Sequence, residues 1–279
     1  MIIDAHVHIF PPDAIADRER LMRRDAYFAS LYSSPRARMA TAEDLIQAMD
    51  EAAIDQAVVA SFGWRDHAIC REHNAYLLES IRCYPSRLMG LAVANPRYPS
   101  EAEKVLVEGL SAGLSGIGEL MPDGQGYCIG SNDLQDALAS VARAHGVPLL
   151  LHVSEPVGHQ YPGKGTVAME QVLSFAQRHP DIALVCAHWG GGLIFYELMP
   201  EVRAALANVY YDTAAWPLLY EDKIFQAAAY IAPTKVLFAT DYPLVSERKG
   251  LDRIRSLGLE PSIEEGYLGA NAAHVYRRR

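Results

Sequence analysis

Cysteine, basic residues and long apolar runs are all scarce in this sequence. Its four cysteines are scattered without a CxxC pair, so neither a disulfide framework nor a cysteine zinc site is expected. No apolar run approaches the roughly 20 residues of a membrane-spanning helix, and the start MIIDAHVHIF does not have the pattern of a signal peptide. The net charge of −9 argues against nucleic acid or an anionic membrane as a partner. We therefore expect a cytoplasmic protein that acts on a small-molecule substrate, and leave open whether it forms a homodimer.

What the sequence does contain is a regular alternation of short apolar runs with segments of helical spacing, such as 133–145, 165–179 and 218–231. The apolar runs predict eight strands, at 2–8, 54–62, 88–95, 115–120, 147–153, 182–188, 208–214 and 235–241. Such alternation implies parallel strands, and no glycine-, serine- or proline-rich linker divides the chain. We predict one α/β domain over residues 1–279, a single and at most slightly distorted (β/α)8 TIM barrel. An open doubly wound sheet is the competing fold.

One connection is unusually long. Residues 9–41 contain Pro11, Pro12 and Pro35, show weak periodicity and exceed the length of ordinary strand-to-helix loops. This length predicts a lid or a substrate-binding loop.

The first predicted strand carries the pattern Asp4, His6, His8 at every second position. Because side chains alternate faces along a strand, these three residues are expected to share one face. The other face would be formed by the three apolar residues Ile3, Ala5 and Val7. The two imidazoles would then point into the barrel mouth, close enough to bind one divalent ion. Asp4 would orient a ligand histidine or be paired in the barrel interior.

Four other predicted strands also end in side chains capable of chemistry, namely Glu119, His152, His188 and Asp241. The carboxyl ends of parallel barrel strands open on one face, where such enzymes have their active sites. Imidazoles and a carboxylate are suitable ligands for zinc or a similar ion and can leave one position for water. The sequence therefore predicts a divalent metal site, with zinc as the expected ion.

Several sequence landmarks, in this order, extend over nearly the whole chain. They are IDAHVHIF, GIGELMP, LLLHVSEP, CAHWGGG, YYDTA, FATDYP and GYLGANAAHVY. Through them the chain resembles the amidohydrolase superfamily, particularly amidohydrolase-related family 2, which also contains decarboxylases. The resemblance implies that His6, His8, His152 and Asp241 are metal ligands, and that His188 assists the reacting group or holds a second ion.

Glu119 occupies a place similar to the bridging glutamate of TatD-type nucleases. By that resemblance two ions are an alternative to the single ion that we favour, although Glu119 could also support a ligand without touching metal. No lysine ends the fourth predicted strand, so a carbamylated-lysine bridge of the urease type is not expected.

Three functions are compatible with these residues, and the sequence leads us to expect the first, with the second as the alternative. In the first, a metal-dependent hydrolase, Asp241 takes a proton from metal-activated water, which attacks an ester, lactone or amide carbonyl while His188 helps to stabilise the oxyanion. The second is a lyase that decarboxylates an unsaturated or aromatic acid, with Asp241 delivering a proton to carbon. The third is a non-catalytic protein that uses the ion to hold a ligand. A site left open beside Asp241 and His188 argues against the third.

Substrate contacts are expected from the loops that follow the strands, although surface arginine is common and a solvated role is the competing interpretation. The candidates are Arg36, Arg38, Trp64, Arg65, Arg97, His159 and Trp216.

Overall fold

Eight parallel strands form one sheet in the order β1 to β8 in the computed structural model, which describes residues 1–277. All eight predicted strands are present, each somewhat shorter than its apolar run. Their bounds are Ile3–His8 (β1), Gln56–Ala60 (β2), Leu88–Ala92 (β3), Gly116–Leu120 (β4), Leu149–Leu151 (β5), Leu184–Cys186 (β6), Val209–Asp212 (β7) and Val236–Leu237 (β8).

The sheet closes on itself between its first and last strands. Ala5 N donates to Phe238 O at 2.8 Å, Asp241 N to His6 O at 3.0 Å, and His8 N to Tyr242 O at 2.8 Å. The backbone of residues 238–242 therefore pairs with β1 although the regular part of β8 has only two residues. This closure confirms the predicted (β/α)8 barrel, with an irregular seam, and is incompatible with an open doubly wound sheet.

Helices connect the strands around the outside of the barrel. They are α1 (Pro12–Ala16), α2 (Arg18–Arg24), α3 (Ala26–Tyr32), α4 (Ala42–Ala52), α5 (His67–Cys83), α6 (Pro99–Ala112), α7 (Pro122–Gln125), α8 (Asn132–His145), α9 (Met169–Arg178), α10 (Pro200–Ala205), α11 (Trp216–Leu219), α12 (Lys223–Ile231), α13 (Glu247–Arg255), α14 (Pro261–Glu265) and α15 (Asn271–Tyr276). A 3-10 stretch at His188–Leu198 and a π turn at Gly266–Ala270 complete the set.

Local sequence explains these helices well. In α4 the Thr41 side chain accepts the backbone N–H of residue 44 and forms a capping box with Asp44. Leu45 and Met49, four residues apart, are buried on one face of this helix. Spacing of that kind places an apolar stripe against the sheet, and burial of each such side chain contributes about 1.5–3 kcal/mol.

The long connection after β1 is more ordered than a loop. It folds into the three short helices α1 to α3, of which α2 and α3 are capped by the side chains of Asp17 and Asp25. Its later part reaches the barrel mouth, where Leu31, Tyr32 and Arg36 line the main cavity. The segment therefore covers one side of the mouth.

The buried side chains form two clusters that correspond to the two faces of the sheet. Ile3, Ala5, Leu150 and Val185 belong to a smaller cluster inside the barrel, whose amino-terminal end α15 closes. The larger cluster lies between strands and helices, and Val7 belongs to it. Ile3 and Ala5 thus face the interior while Val7 faces the helices, so the predicted common face of the three residues is wrong.

The cause is an irregularity in β1. The pairing register with β2 shifts between Asp4 and Val7, which is the signature of a β-bulge. Before this bulge the alternation directs Asp4 toward the helices, and after it His6 and His8 face inward.

No helix within residues 1–277 is long and apolar enough to cross a membrane.

Candidate metal centre

Four ligand-type side chains from three strands converge at the carboxyl end of the barrel. His6 Nε2 and His8 Nε2 are 3.1 Å apart. Glu119 Oε2, from β4, lies 3.5 Å from the first of these nitrogens and 3.4 Å from the second. Asp241, four residues after β8, places its Oδ1 3.4 Å from His8 Nε2. The side chains of His6 and Glu119 are almost completely buried.

Hydrogen bonds on the far side of each imidazole determine which nitrogen is free. His6 Nδ1 donates to Asp212 Oδ2 at 2.8 Å, and His8 Nδ1 donates to the carbonyl oxygen of Ser61 at 3.2 Å. In the neutral tautomers both Nε2 atoms are then unprotonated, and they face each other and two carboxylates. In these tautomers such a set of lone pairs favours a cation between them.

The spacing of these atoms also fits an ion. Donor atoms about 2.1 Å from a common tetrahedral or octahedral centre are about 3.0–3.4 Å from one another. His8 Nε2 lies 3.1–3.4 Å from His6 Nε2, Glu119 Oε2 and Asp241 Oδ1, and His6 Nε2 lies 3.5 Å from Glu119 Oε2. The ligand atoms that all lie within 4.8 Å of one another belong to His6, His8 and Glu119, and Asp241 approaches this group from the His8 side. The residues present therefore fit a divalent metal ion, and the backing of each histidine by a second group is typical of metal-ligating imidazoles.

Glu119 connects this group to a second one. Its Oε1 lies 2.9 Å from His152 Nδ1, on the residue that directly follows β5. Potential ligand atoms of Glu119, His152 and His188 all lie within 4.8 Å of one another. His152 Nε2 donates to the carbonyl oxygen of Gly163 at 2.9 Å, which leaves Nδ1 as the atom available to an ion. One carboxylate thus faces two histidine pairs, a geometry that can hold one ion or a bridged pair.

His188 is presented by an unusual backbone. Residues 188–192 all have positive φ, including His188 itself at 55° and Gly191 at 60°. A Cβ on Gly191 would lie 2.3 Å from the carbonyl oxygen of Ser154, so only glycine fits there. The glycine at this position thus allows a close backbone approach beside His188. His188 Nδ1 donates to Ala214 O at 3.0 Å, which leaves Nε2 free.

Charges within the cluster shift its proton equilibria. Burial disfavours the charged form of His6, but the Asp212 and Glu119 carboxylates outweigh burial and raise the pKa of His6 well above its usual value. Burial raises the pKa of Glu119, but the neighbouring His6 and His152 outweigh burial and hold this pKa well below its usual range. The cluster is therefore strongly polarised, and a metal ion would replace a proton on the imidazoles.

Asp212, at the end of β7, was missed by the sequence reasoning. Besides accepting from His6, it accepts the backbone N–H groups of His188 and Ala214, both at 3.0 Å, and it is fully buried. It therefore fixes the orientation of one ligand and the position of a second histidine. The landmark YYDTA contains this residue, and a carboxylate inside an otherwise apolar strand was the available signal.

Above the centre lies a cavity of about 890 Å³, within the range of small-molecule sites. His8, Glu119, His152, His188 and Asp241 line it. Tyr32 also lines this cavity and was likewise missed. Its ring stacks on Phe28 with centroids 4.4 Å apart, and its hydroxyl lies within electrostatic reach of Asp241 and Glu119.

The seven predicted substrate residues divide into two groups. Arg36, Arg38 and His159 line the cavity, whereas Trp64, Arg65, Arg97 and Trp216 do not. Trp64 and Trp216 are fully buried, with their indole N–H groups donating to Ser61 and Asp222. Arg65 and Arg97 donate to the backbone carbonyls of Gly124 and Gly126.

Asp4 lies outside the group of converging ligand atoms. It accepts hydrogen bonds from Thr240 Oγ1 at 2.6 Å and Thr240 N at 3.0 Å, which tie β1 to the irregular end of β8. Burial outweighs these bonds and raises the pKa of Asp4 to about 7. The role of Asp4 is thus to join the strands that carry His6 and Asp241.

A parallel eight-stranded barrel with imidazole and carboxylate groups at the carboxyl ends of its strands is the arrangement expected of an enzyme of the amidohydrolase superfamily. The profile of the amidohydrolase family 2 (Amidohydro_2) matches residues 3–278, and the chain belongs to this family. A search of curated proteins finds no match.

Solved structures with the same fold include several decarboxylases. The 5-carboxyvanillate decarboxylase from Sphingomonas paucimobilis superposes with a TM-score of 0.80 at 14% identity, covering 100% of this chain and 99% of its own. The corresponding enzyme from Novosphingobium aromaticivorans, in complex with manganese, gives 0.79 at 16% identity, with 100% and 96% covered. A 2,6-dihydroxybenzoate decarboxylase from Rhizobium gives 0.73 at 16% identity, with 99% and 98% covered.

Proposed function

We propose that this protein is a metal-dependent decarboxylase of an aromatic or unsaturated carboxylic acid. The observation that carries the proposal is the cluster of imidazole nitrogens and carboxylate oxygens that opens on a small-molecule cavity through Asp241. The decarboxylases among the structures of the same fold support this reaction over hydrolysis, and the cavity's aromatic wall, which includes Phe62 and Tyr32, suits a flat acid.

His6, His8 and Asp241 would hold the ion, with Glu119 or His152 completing the set. Imidazole and carboxylate donors suit both zinc and manganese; zinc is the ion expected from the sequence, and manganese is bound in a structure of the same fold. A bound divalent ion supplies positive charge that attracts the substrate's carboxylate and neutralises the carboxylates around it.

Asp241 is placed to transfer the proton. Its side chain is 14% exposed and faces the cavity, whereas the side chain of Glu119 is only 1% exposed. In its protonated form Asp241 gives its proton to the carbon that bears the carboxylate. The bond between that carbon and the carboxylate carbon then breaks, its electron pair restores the unsaturated system, and carbon dioxide leaves. Asp241 regains a proton from solvent.

His188 and the segment after β1 would assist in different ways. His188 Nε2 is free to contact an oxygen of the substrate, because Nδ1 is held by Ala214 O. Tyr32 and Leu31 cover one side of the cavity and limit the access of water to the carbon that receives the proton.

The test is a product assay on metal-loaded protein with hydroxybenzoates and unsaturated dicarboxylic acids. Released carbon dioxide and the decarboxylated acid should appear in equal amounts, and Asp241→Asn should abolish both while the bound metal remains above half of the wild-type amount. Turnover of esters, lactones or amides without carbon dioxide release would instead identify a hydrolase.

Hydrolysis is the second candidate, and one observation favours it. The two oxygens of Glu119 face separate histidine pairs, 3.4–3.5 Å from His6 and His8 and 2.9 Å from His152. A bridged pair of ions held there would suit activation of water.

Cytoplasmic location and homodimerisation stay predictions.

A further inference from the structure

A buried histidine of α5 is connected to the metal centre through the serine that follows β2. His8 Nδ1 donates to the carbonyl oxygen of Ser61 at 3.2 Å. The hydroxyl oxygen of the same serine lies 2.9 Å from His73 Nδ1, and both residues are buried. Two successive contacts therefore link His73 to the imidazole of His8.

The hydroxyl group of Ser61 has a partner on each side. Trp64 Nε1 donates to Ser61 Oγ at 3.0 Å. If the hydroxyl in turn donates to His73 Nδ1, both groups are satisfied, whereas the other tautomer of His73 would leave the hydroxyl proton without an acceptor among the described residues. Because rotation of the serine side chain would break both bonds, the residue whose carbonyl His8 contacts is held in one orientation.

The surroundings of His73 keep its imidazole uncharged. The rings of Phe10 and Trp64 lie 6.1 and 4.7 Å from the His73 ring, measured between centroids. Burial, assisted by the charge of Arg20, lowers the pKa of His73 to about 3. The imidazole is therefore neutral at neutral pH, and its Nδ1 can accept the proton of the serine hydroxyl.

Packing alone does not account for a histidine at this position. His73 Nε2 has no hydrogen-bond partner within residues 1–277, and a buried polar atom without a partner is unfavourable. Leucine would fill an apolar position of this kind without that cost. The contact that distinguishes histidine from leucine here is the one with Ser61.

We infer that His73 is a positioning residue of the metal centre, which acts through Ser61 to hold His8 in the orientation that binds an ion. Groups behind a metal-ligating imidazole fix its ring and tautomer, and their loss lowers metal affinity about 10–100-fold. His73 is one contact farther from the ion than Ser61, so we expect an effect at the lower end of this range. The inference concerns metal binding and holds whether the reaction is decarboxylation or hydrolysis.

Two substitutions of similar shape separate the polar contact from packing. Asparagine places an amide oxygen near the position of His73 Nδ1, whereas leucine has a similar size and no acceptor. His73→Leu should raise the dissociation constant of manganese about tenfold, and His73→Asn should leave it within about threefold of wild type, as measured by competition with a fluorescent chelator. His179→Leu is the matched control and should leave the constant unchanged, because His179 is also buried but lies between α9 and β6, at the amino-terminal end of the barrel.

A double-mutant cycle tests the route through the serine. Ser61→Ala should weaken manganese binding about tenfold. Adding His73→Leu to this variant should cause no further loss, because the hydroxyl that connects the two residues is already absent. Urea unfolding of the metal-free proteins should give similar midpoints for His73→Leu and His73→Asn, so that a difference between them in metal affinity reports the acceptor and not stability.

Three results would overturn the inference: unchanged manganese binding in His73→Leu, equal losses in the leucine and asparagine variants, or additive losses in the double variant. A wild-type protein that binds no manganese would overturn it together with the metal centre itself.

Discussion

Replacement of Glu247 by glutamine should make the protein less sensitive to alkaline pH. Glu247 is at the start of α13, is only 1% exposed, and neither of its carboxyl oxygens has a hydrogen-bond partner among the described residues. Burial, reinforced by the negative charge of Asp4, raises its pKa from 4.5 to about 9. The folded protein therefore keeps a proton on Glu247 at neutral pH, whereas the unfolded chain releases it.

The sign and size of the effect follow from this difference. Between pH 4.5 and about 9 the folded state binds more protons at Glu247 than the unfolded state does, so the free energy of unfolding falls as pH rises. At about 1.4 kcal/mol per pH unit, the loss from pH 5 to pH 8 is about 4 kcal/mol. Glutamine has the same shape and is neutral at every pH, so Glu247→Gln should lack this loss.

The measurement is urea unfolding of wild type and variant at pH 5, 6, 7 and 8, with the same concentration of metal. Titrating groups other than Asp4 contribute equally to both proteins, so the difference between them reports Glu247 together with its interaction with Asp4. It should shift in favour of the variant by about 4 kcal/mol across the series. Glu201→Gln is the control, because Glu201 also lies in the first turn of a helix but is exposed. A difference for Glu247→Gln that is constant with pH would refute the reasoning.

Three further predictions concern the metal centre and its surroundings. If the Glu119 carboxylate bridges a pair of ions, Glu119→Gln should lower the metal content measured by mass spectrometry from two ions to one. Adding His6→Ala to this variant should remove the remaining ion, and an unchanged metal content after both substitutions would refute ligation. Tyr32→Phe keeps the ring stacked on Phe28 and should lower kcat/KM about tenfold with unfolding within about 1 kcal/mol of wild type, whereas unchanged kinetics would show that the hydroxyl does not contact substrate. Gly191→Ala should destabilise the protein by at least about 2 kcal/mol in urea unfolding, since its left-handed backbone disfavours a Cβ and the Ser154 carbonyl leaves no room for one; a smaller loss would mean that the turn can relax.

The fold could be predicted from the sequence because the period of apolar residues reports local geometry directly. Every predicted strand contains an observed one, and the helical segment 133–145 corresponds to α8 at Asn132–His145. The order of the elements then restricts the topology to a few choices. The segment 9–41 was less predictable, because short helices such as α2 and α3 depend on capping by Asp17 and Asp25 rather than on a long apolar stripe.

For the candidate site, the sequence predicted that the ligand-type residues lie together, but it did not predict which other residues contact them. Ligand-type residues that end parallel strands must meet on one face, and His6, His8, Glu119, His152 and Asp241 do lie together there. No such rule predicts the positions of the residues that hold the ligands in place or line the cavity. Asp212 resembles an ordinary buried strand residue until its bonds to His6 and to the backbone are known, and the cavity position of Tyr32 depends on how α3 packs.

The bulge in β1 has a consequence for both the fold and the site. In a regular strand Ile3 and Ala5 could not share the interior with His6, because neighbouring side chains point to opposite faces. One extra residue between Asp4 and Val7 allows β1 to contribute apolar side chains to the barrel core at its beginning and two imidazoles to the mouth at its end. The same shift turns Asp4 toward the helices, where it bonds Thr240 and holds β1 against the end of β8. A polar residue at every second position is therefore compatible with either face, and only the register of the pairing decides which of those residues can reach a metal ion.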